Sequence, residues 1–200
     1  RGAVTWGSGT AGISGVVSSS NSLVGSTAND NVGNNGVTAL SNGNYVVRSF
    51  NWDNGSTANA GAVTWGNGTT GISGAVSSTN SLVGSTANDF VGNGNITILS
   101  NGNYVVRSQN WDNGAATNAG AVTWGNGATG VSGAVSSSNS LVGSTSNDQI
   151  GNSGVVALSN GNYLVRSTSW DNGVAANAGA ITWGSGTAGV SGVISSSNSL

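Results

Sequence analysis

The stretch GVTALSNGNYVVRS (residues 36–49) contains two short apolar runs separated by Asn42-Gly43. Both runs are rich in β-branched and aromatic residues, the composition typical of strands. An Asn-Gly pair tolerates the positive φ angles of a two-residue type I′ turn. We therefore predict a tight antiparallel hairpin in which Leu40 lies opposite Tyr45.

This hairpin belongs to a tandem repeat with a constant step. The motif Gly-Ala-Val/Ile-Thr-Trp begins every 59 residues, at Gly2, Gly61, Gly120 and Gly179. The Asn-Gly turn returns with the same step, at Asn101-Gly102 and Asn160-Gly161. The repeats can be written as 2–60, 61–119, 120–178 and a partial unit 179–200. Such regularity predicts that residues 1–200 are a window of a longer array.

Each repeat contains four runs with strand composition, which in the first copies are 22–26, 36–41, 44–49 and 61–66. A further short run at 74–78 is interpreted as an extension of the strand that follows it. No window shows helical periodicity, and the strand runs present apolar groups to both faces. We predict an all-β fold of about four short antiparallel strands per repeat, arranged as β-propeller-like blades. The alternative is a linear stack of small β-sheets, a β-solenoid that forms a filament.

Charge is sparse, with four Arg and no Lys against six Asp, and the net charge is −2. The chain has no His, Cys or Lys, so nucleophilic catalysis through these groups is excluded. We predict no enzymatic activity and no catalytic residue. The lack of a basic cluster argues against nucleic-acid binding, and the lack of a long apolar run argues against membrane insertion.

One arginine and two aspartates recur in each repeat, and they are the candidates for a structural clamp. A guanidinium carries five donors in a fixed geometry, so one arginine could hold two Asp-bearing loops together through their carboxylates and carbonyls. The predicted clamp consists of Arg48 with Asp53 and Asp30, Arg107 with Asp112 and Asp89, and Arg166 with Asp171 and Asp148. The alternative is a row of arginines that binds a polyanion or a sugar.

The aspartate loops and the tryptophans offer two further kinds of site. We predict no metal site and no cofactor, with calcium at the Asp/Asn loops as the alternative. The tryptophans form a strand row, interpreted as core, and a loop row that could plug the core or stack on a glycan. The strand row is Trp6, Trp65, Trp124 and Trp183, and the loop row is Trp52, Trp111 and Trp170.

Two resemblances rest on longer motifs. The stretch NYVVRSQNWDNGAATNAGAVTWGNG (103–127) resembles an FG-GAP-type propeller repeat, although it lacks that family's calcium loop and its proline after the first strand. The motifs LSNGNYVVRS, NWDNG, AGAVTWGNG and NSLVGSTAND resemble tandem repeats of very large exported Gram-negative proteins that carry haemagglutinin-type secretion modules. The second resemblance implies an extracellular or cell-surface location and a role as stalk, adhesin or fibre material.

Together these observations predict a structural segment of a secreted, repetitive bacterial surface or filament protein. Its partner would be itself, as a homopolymer or within a longer parent chain. The alternative is an adhesin or lectin-like β-propeller that recognises a polysaccharide. Because the unit begins and ends at the same phase of the repeat, we also expect the outermost sheets to require a neighbour.

Overall fold

The computed structural model describes residues 1–200 and consists of strands and loops, without a helix. One period supplies five strands: β3 (Val37–Ala39), β4 (Tyr45–Ser49), β5 (Ala62–Gly66), β6 (Gly74–Ala75) and β7 (Ser81–Val83). The next period supplies β8 (Ile96–Ile98), β9 (Tyr104–Ser108), β10 (Ala121–Gly125), β11 (Gly133–Ala134) and β12 (Ser140–Val142). The remaining strands are β1 (Ala3–Thr5), β2 (Ser22–Val24), β13 (Val155–Ala157), β14 (Tyr163–Ser167), β15 (Ala180–Gly184) and β16 (Gly192–Val193). The predicted all-β fold is confirmed, and no helix capable of spanning a membrane is present.

Each complete sheet contains four antiparallel strands from one stretch of chain and a fifth strand from the next period. In the second sheet the order is β3-β4-β5-β7, and β11 lies beside β7 in parallel. The third sheet repeats this order as β8-β9-β10-β12, with β16 parallel to β12. The run that begins at Gly74 is therefore not an extension of the following strand, because it pairs with β2 of the preceding sheet.

The first and fourth sheets contain fewer strands. The first consists of β1, β2 and β6, and the fourth of β13, β14 and β15. Beside β15, Leu200 exchanges two backbone hydrogen bonds with Ile181, at 2.8 and 3.0 Å. The chain thus begins to form the strand that β7 and β12 form in the inner sheets.

The hairpin exists, but its predicted register is wrong by one residue. Ala39 lies opposite Tyr45, and Leu40 pairs instead with Asn44 through a backbone hydrogen bond of 2.7 Å. Only Gly43 has a positive φ, of 87°, whereas Asn42 does not. These features match a three-residue loop, a type I turn followed by a glycine bulge, rather than a type I′ turn. The Asn42 side-chain oxygen Oδ1 accepts the Asn44 N–H at 3.1 Å and stabilises this turn.

Three apolar clusters join each sheet to the next one along the chain. Between the second and third sheets, Val46, Val63 and Leu82 face Val106 and Ala121. The equivalent residues, shifted by 59 positions, form the cluster between the third and fourth sheets, and a third cluster joins the first two sheets. Neighbouring residues of one strand enter different clusters, as Val46 and Val47 do. Each inner sheet is therefore covered on both faces by its neighbours.

The four sheets lie in chain order, because every cluster connects consecutive sheets. The four antiparallel strands of each inner sheet equal the number predicted for one blade. The arrangement is a stack of small sheets, the alternative that the sequence left open. A sheet in such a stack cannot bury its own apolar faces and requires a neighbour on each side.

Candidate functional site

The contact surface between consecutive sheets, here called the junction, brings together most of the residues that the sequence singles out. The arginines are on the strands that follow the hairpin turns. Arg48 Nη2 donates to the carbonyl of Asn35 at 2.6 Å, and its Nη1 donates to the carbonyl of Gly94 in the next sheet at 3.1 Å. Arg107 Nη1 donates to the carbonyl of Gly151 at 2.9 Å, while Arg166 is exposed.

None of these arginine hydrogen bonds reaches a carboxylate, so the proposed pairing of Arg48, Arg107 and Arg166 with aspartates is corrected. Arg48 is on the same face of β4 as Val46 and points across the junction toward the loop that follows β7, where its Nη1 reaches the Gly94 carbonyl and, at 3.4 Å, the Asn95 side-chain oxygen. Burial lowers the pKa of Arg48 and of Arg107, and the positive charge of Arg48 lowers the pKa of Arg107 further. The arginines thus position loops through carbonyls and are not neutralised by a counter-ion.

The predicted tie between the two aspartate loops is present, but the aspartates make it themselves. Asp89 is fully buried; its Oδ2 accepts the N–H groups of Ser85 and Thr86, both at 2.8 Å. Its Oδ1 accepts the N–H of Asp112, in the next sheet, at 3.0 Å. Asp112 in turn accepts the N–H of Asn118 at 2.7 Å. The remaining pairs, Asp30 with Asp53 and Asp148 with Asp171, repeat the same inter-loop bond at 3.1 and 3.0 Å.

The position of Asp89 also affects its ionisation. Burial raises the pKa of Asp89 from its ordinary value of 3.8, and the nearby Asp112 carboxylate adds to the rise. The three backbone N–H groups oppose this shift because they stabilise the ionised form. These carboxylate oxygens are occupied by backbone donors, and no group of three or more His, Cys, Asp or Glu side chains comes together.

The loop row of tryptophans plugs the core, one of the two interpretations of the sequence, and the strand row is less buried than predicted. Trp52, Trp111 and Trp170 are only 2%, 4% and 6% exposed and pack into the three clusters, so they are not glycan-stacking platforms. The strand row is less buried: Trp65 and Trp124 are partly exposed in the inner sheets. The sequence did not reveal that the loop row is the more deeply buried of the two, because this burial depends on contacts with a neighbouring sheet.

A shared carbonyl forms a contact that the sequence analysis missed. The Gly127 oxygen accepts hydrogen bonds from the Asn42 and Asn44 amides and from the Trp65 indole, at 2.8, 2.9 and 2.9 Å. The Gly186 oxygen receives the same three contacts from the equivalent residues, at 2.7, 2.8 and 3.0 Å. The sequence signal for this contact was the recurrence of two asparagines at the hairpin turn in every repeat. The turn alone does not require both of them.

One sheet face has no cover in the described chain. Ile181 is 46% exposed and Leu200 is 98% exposed, whereas their inner counterparts Val63 and Leu82 are 1% and 0% exposed. With Leu164 and Trp183, these residues border a depression of about 360 Å³. We name this surface the end face. It carries the same kind of residues that meet the next sheet at every inner junction.

Comparison with known proteins agrees with the repeat and adds no activity. The family model described as "Repeat of unknown function (DUF5650)" matches residues 1–34, 39–93, 98–152 and 157–200. The matched segments begin 59 residues apart at 39, 98 and 157, which is the step read from the sequence. A search of curated proteins found no match. Because the model covers nearly the whole chain, the chain belongs to the DUF5650 repeat family.

Proposed function

We propose that this chain is a structural segment of a secreted, repetitive bacterial surface or extracellular filament protein, which self-associates through stacked β repeats. The contrast between covered and uncovered copies of the same surface supports this proposal. Val63 and Leu82 are buried against the next sheet, and their counterparts Ile181 and Leu200 are exposed on the end face. The occupant that fits the end face is another sheet of the same repeat.

Association at the end face has a clear energetic basis. Full burial of one Ile or Leu side chain contributes about 1.5–3 kcal/mol. An inner junction adds the arginine, aspartate and asparagine hydrogen bonds to this apolar contact. The same surface can be covered by a second molecule or by a following repeat of a longer chain. Both arrangements extend the stack in the same direction.

The location and the absence of catalysis are part of the proposal and rest on the sequence. The resemblance to exported repeats supports an extracellular or cell-surface location, and the absence of cysteine is compatible with it. A role other than catalysis is supported by the lack of His, Cys and Lys. The inter-loop hydrogen bonds of the aspartates also favour a structural use of the carboxylates.

A double substitution on the end face tests self-association. The variant Leu164→Thr/Ile181→Thr reduces the apolar character of the end face without touching an inner junction. Sedimentation velocity over a range of protein concentrations should show association of the unmodified chain and a loss of association in this variant. The matched control is Val174→Thr, because Val174 is fully exposed in a loop outside the end face.

The control should associate like the unmodified chain, and all three proteins should have similar thermal stability, since the altered side chains are exposed or partly exposed. A chain that stays monomeric at every concentration would contradict self-association through this face. Equal association of the end-face variant and the unmodified chain would do so as well. In the second case the contact between molecules would have to involve another surface, such as the edge strands.

A further inference from the structure

Two equivalent grooves follow the junctions on the side of the strand-row tryptophans. The first has a volume of about 210 Å³ and is bordered by Trp6; the second has about 180 Å³ and is bordered by Trp65. Each lining residue of the first groove has its counterpart 59 residues later in the second. The groove thus recurs at the first two junctions, one period apart, whereas no equivalent groove is found at the third, where Ala188 replaces the threonine.

The tryptophan in each groove is held in one orientation. In the second groove the Trp65 indole N–H donates to the Gly127 carbonyl at 2.9 Å. The backbone of Gly130 lies directly against the ring, because a Cβ at this position would be only 2.6 Å from the Cβ of Trp65. The ring remains partly exposed and borders the groove beside Val131. This arrangement presents a fixed aromatic surface to solvent.

The groove lining also carries free hydroxyl groups. The Thr129 and Ser132 hydroxyls take part in no hydrogen bond within the chain, and the same holds for Thr70 and Ser73 in the first groove. Asn80 differs, because its amide is already bonded to the backbone of Ala75 at 2.9 Å. Each groove therefore offers one aromatic ring, apolar side chains and two unoccupied hydroxyls.

We propose that these grooves bind a neutral polysaccharide, with one sugar ring against each tryptophan. A pyranose has an apolar C–H face that suits an aromatic ring and a rim of hydroxyls that suits Thr and Ser. No charged residue lines either groove, which favours a neutral ligand over an anionic one. The volumes are below those of typical drug-sized pockets and correspond to a single ring rather than a whole oligosaccharide.

This binding goes beyond self-association and uses different residues. It also differs from the glycan site considered on the sequence, because the loop tryptophans are buried in the junctions. Repetition of the groove makes the interaction multivalent. A long glycan that reaches several grooves binds much more tightly than a short one, because the second contact is intramolecular.

The test uses glycan arrays that contain neutral polymers, namely glucans, mannans, galactans and xylans, with heparin as the anionic comparison. We expect the unmodified chain to bind at least one neutral class and to bind its polymer more tightly than its disaccharide. The variant Thr70→Val/Ser73→Ala/Thr129→Val/Ser132→Ala removes the free hydroxyls of both grooves. Loss of two hydrogen bonds to one ligand should weaken binding at each groove roughly tenfold.

The matched control is Thr97→Val, which removes a hydroxyl from the edge strand β8, outside both grooves. It should bind like the unmodified chain, and ligand should change the tryptophan fluorescence of both. Absence of binding to every neutral glycan would overturn the proposal. Unchanged binding by the groove variant, or a preference for heparin, would overturn it too. Sedimentation of the groove variant separates this result from a failure of self-association, because its end face is intact.

Discussion

A single buried carboxylate in each junction accepts hydrogen bonds from two loops that belong to different sheets. Asp89 takes two N–H groups from its own loop and one from Asp112 in the next sheet. Three backbone donors in a buried place depend on this one side chain. A donor left buried without a partner costs about 1–3 kcal/mol. The aspartate therefore stabilises the fold chiefly as the acceptor of these N–H groups, and its charge is secondary.

Asp89→Ala should therefore lower the free energy of unfolding by about 2–4 kcal/mol, measured by urea denaturation. Asp89→Asn keeps one acceptor oxygen and should cost less. Because the pKa of Asp89 is raised on folding, the part of stability that depends on its ionisation is full below the ordinary pKa of 3.8 and is lost as pH rises through the raised pKa, while its hydrogen bonds to the three N–H groups remain. Equal stability of the alanine variant and the unmodified chain would contradict this role.

At the scale of strands, a tyrosine and a glycine on neighbouring strands form a fitted pair. Tyr104 on β9 lies opposite Gly125 on β10, and a Cβ at Gly125 would be only 2.2 Å from the Cζ atom of the tyrosine. The same pair recurs as Tyr45 with Gly66 and as Tyr163 with Gly184. The glycine is required here because the ring lies across it, and its φ is not in the left-handed region.

Gly125→Ala should lower the free energy of unfolding by about 1–3 kcal/mol, because the added methyl group overpacks the ring. The control is Gly9→Ala, since a Cβ at Gly9 meets no atom within 4 Å and its backbone is not strained. Thermal unfolding should show no loss for the control. If Gly125→Ala matched the control, the tight fit between the two strands would be refuted.

The strands themselves could be predicted because the preference of their residues for extended backbone does not depend on distant contacts. Val46, Val47 and Tyr45 favour a strand whatever surrounds them, and the 59-residue step shows where the pattern returns. The register could not be predicted in this way. Asn42 adopts a turn in which its amide also bonds to Gly127, a residue 85 positions away. The partners of Arg48 and the burial of Trp52 also depend on the next sheet, which composition does not place.

The whole molecule is a stack of similar junctions. The effect of tyrosine ionisation on its stability is therefore the sum of the effects of one tyrosine in each repeat. The hydroxyls of Tyr45, Tyr104 and Tyr163 are buried and meet no partner at full hydrogen-bond geometry, although the backbone of Ile72, Val131 and Val190 partly offsets the rise of each pKa. Burial raises the pKa of all three, that of Tyr163 to about 12, from an ordinary value of 10.0. Between these pKa values the unfolded chain ionises its tyrosines and the folded chain keeps them neutral.

Stability should therefore hold below pH 10.0 and decline as pH rises from there through the raised tyrosine pKa values, that of Tyr163 being about 12. The triple variant Tyr45→Phe/Tyr104→Phe/Tyr163→Phe should fold with similar stability at neutral pH, because at most a weak contact between each hydroxyl and the backbone is lost. Above pH 10.0 it should lose much less stability than the unmodified chain. Circular dichroism during alkaline denaturation measures the loss of structure of the unmodified chain and of the triple variant. If the two proteins unfolded at the same pH, the tyrosines would be excluded as the cause.

The contact of Asn42 and Asn101 with the next sheet also bears on how the molecule ages. Asn-Gly bonds deamidate when the glycine nitrogen attacks the side-chain carbonyl, which releases ammonia and forms a succinimide. The inner amides are held by Gly127 and Gly186 and cannot easily rotate into that attack. In the described chain the Asn160 amide nitrogen makes no such bond, while its oxygen still accepts the Asn162 N–H at 3.1 Å. Among the hairpin turns, deamidation would therefore begin at the uncovered one, and each added sheet would protect the turn asparagine of the sheet before it.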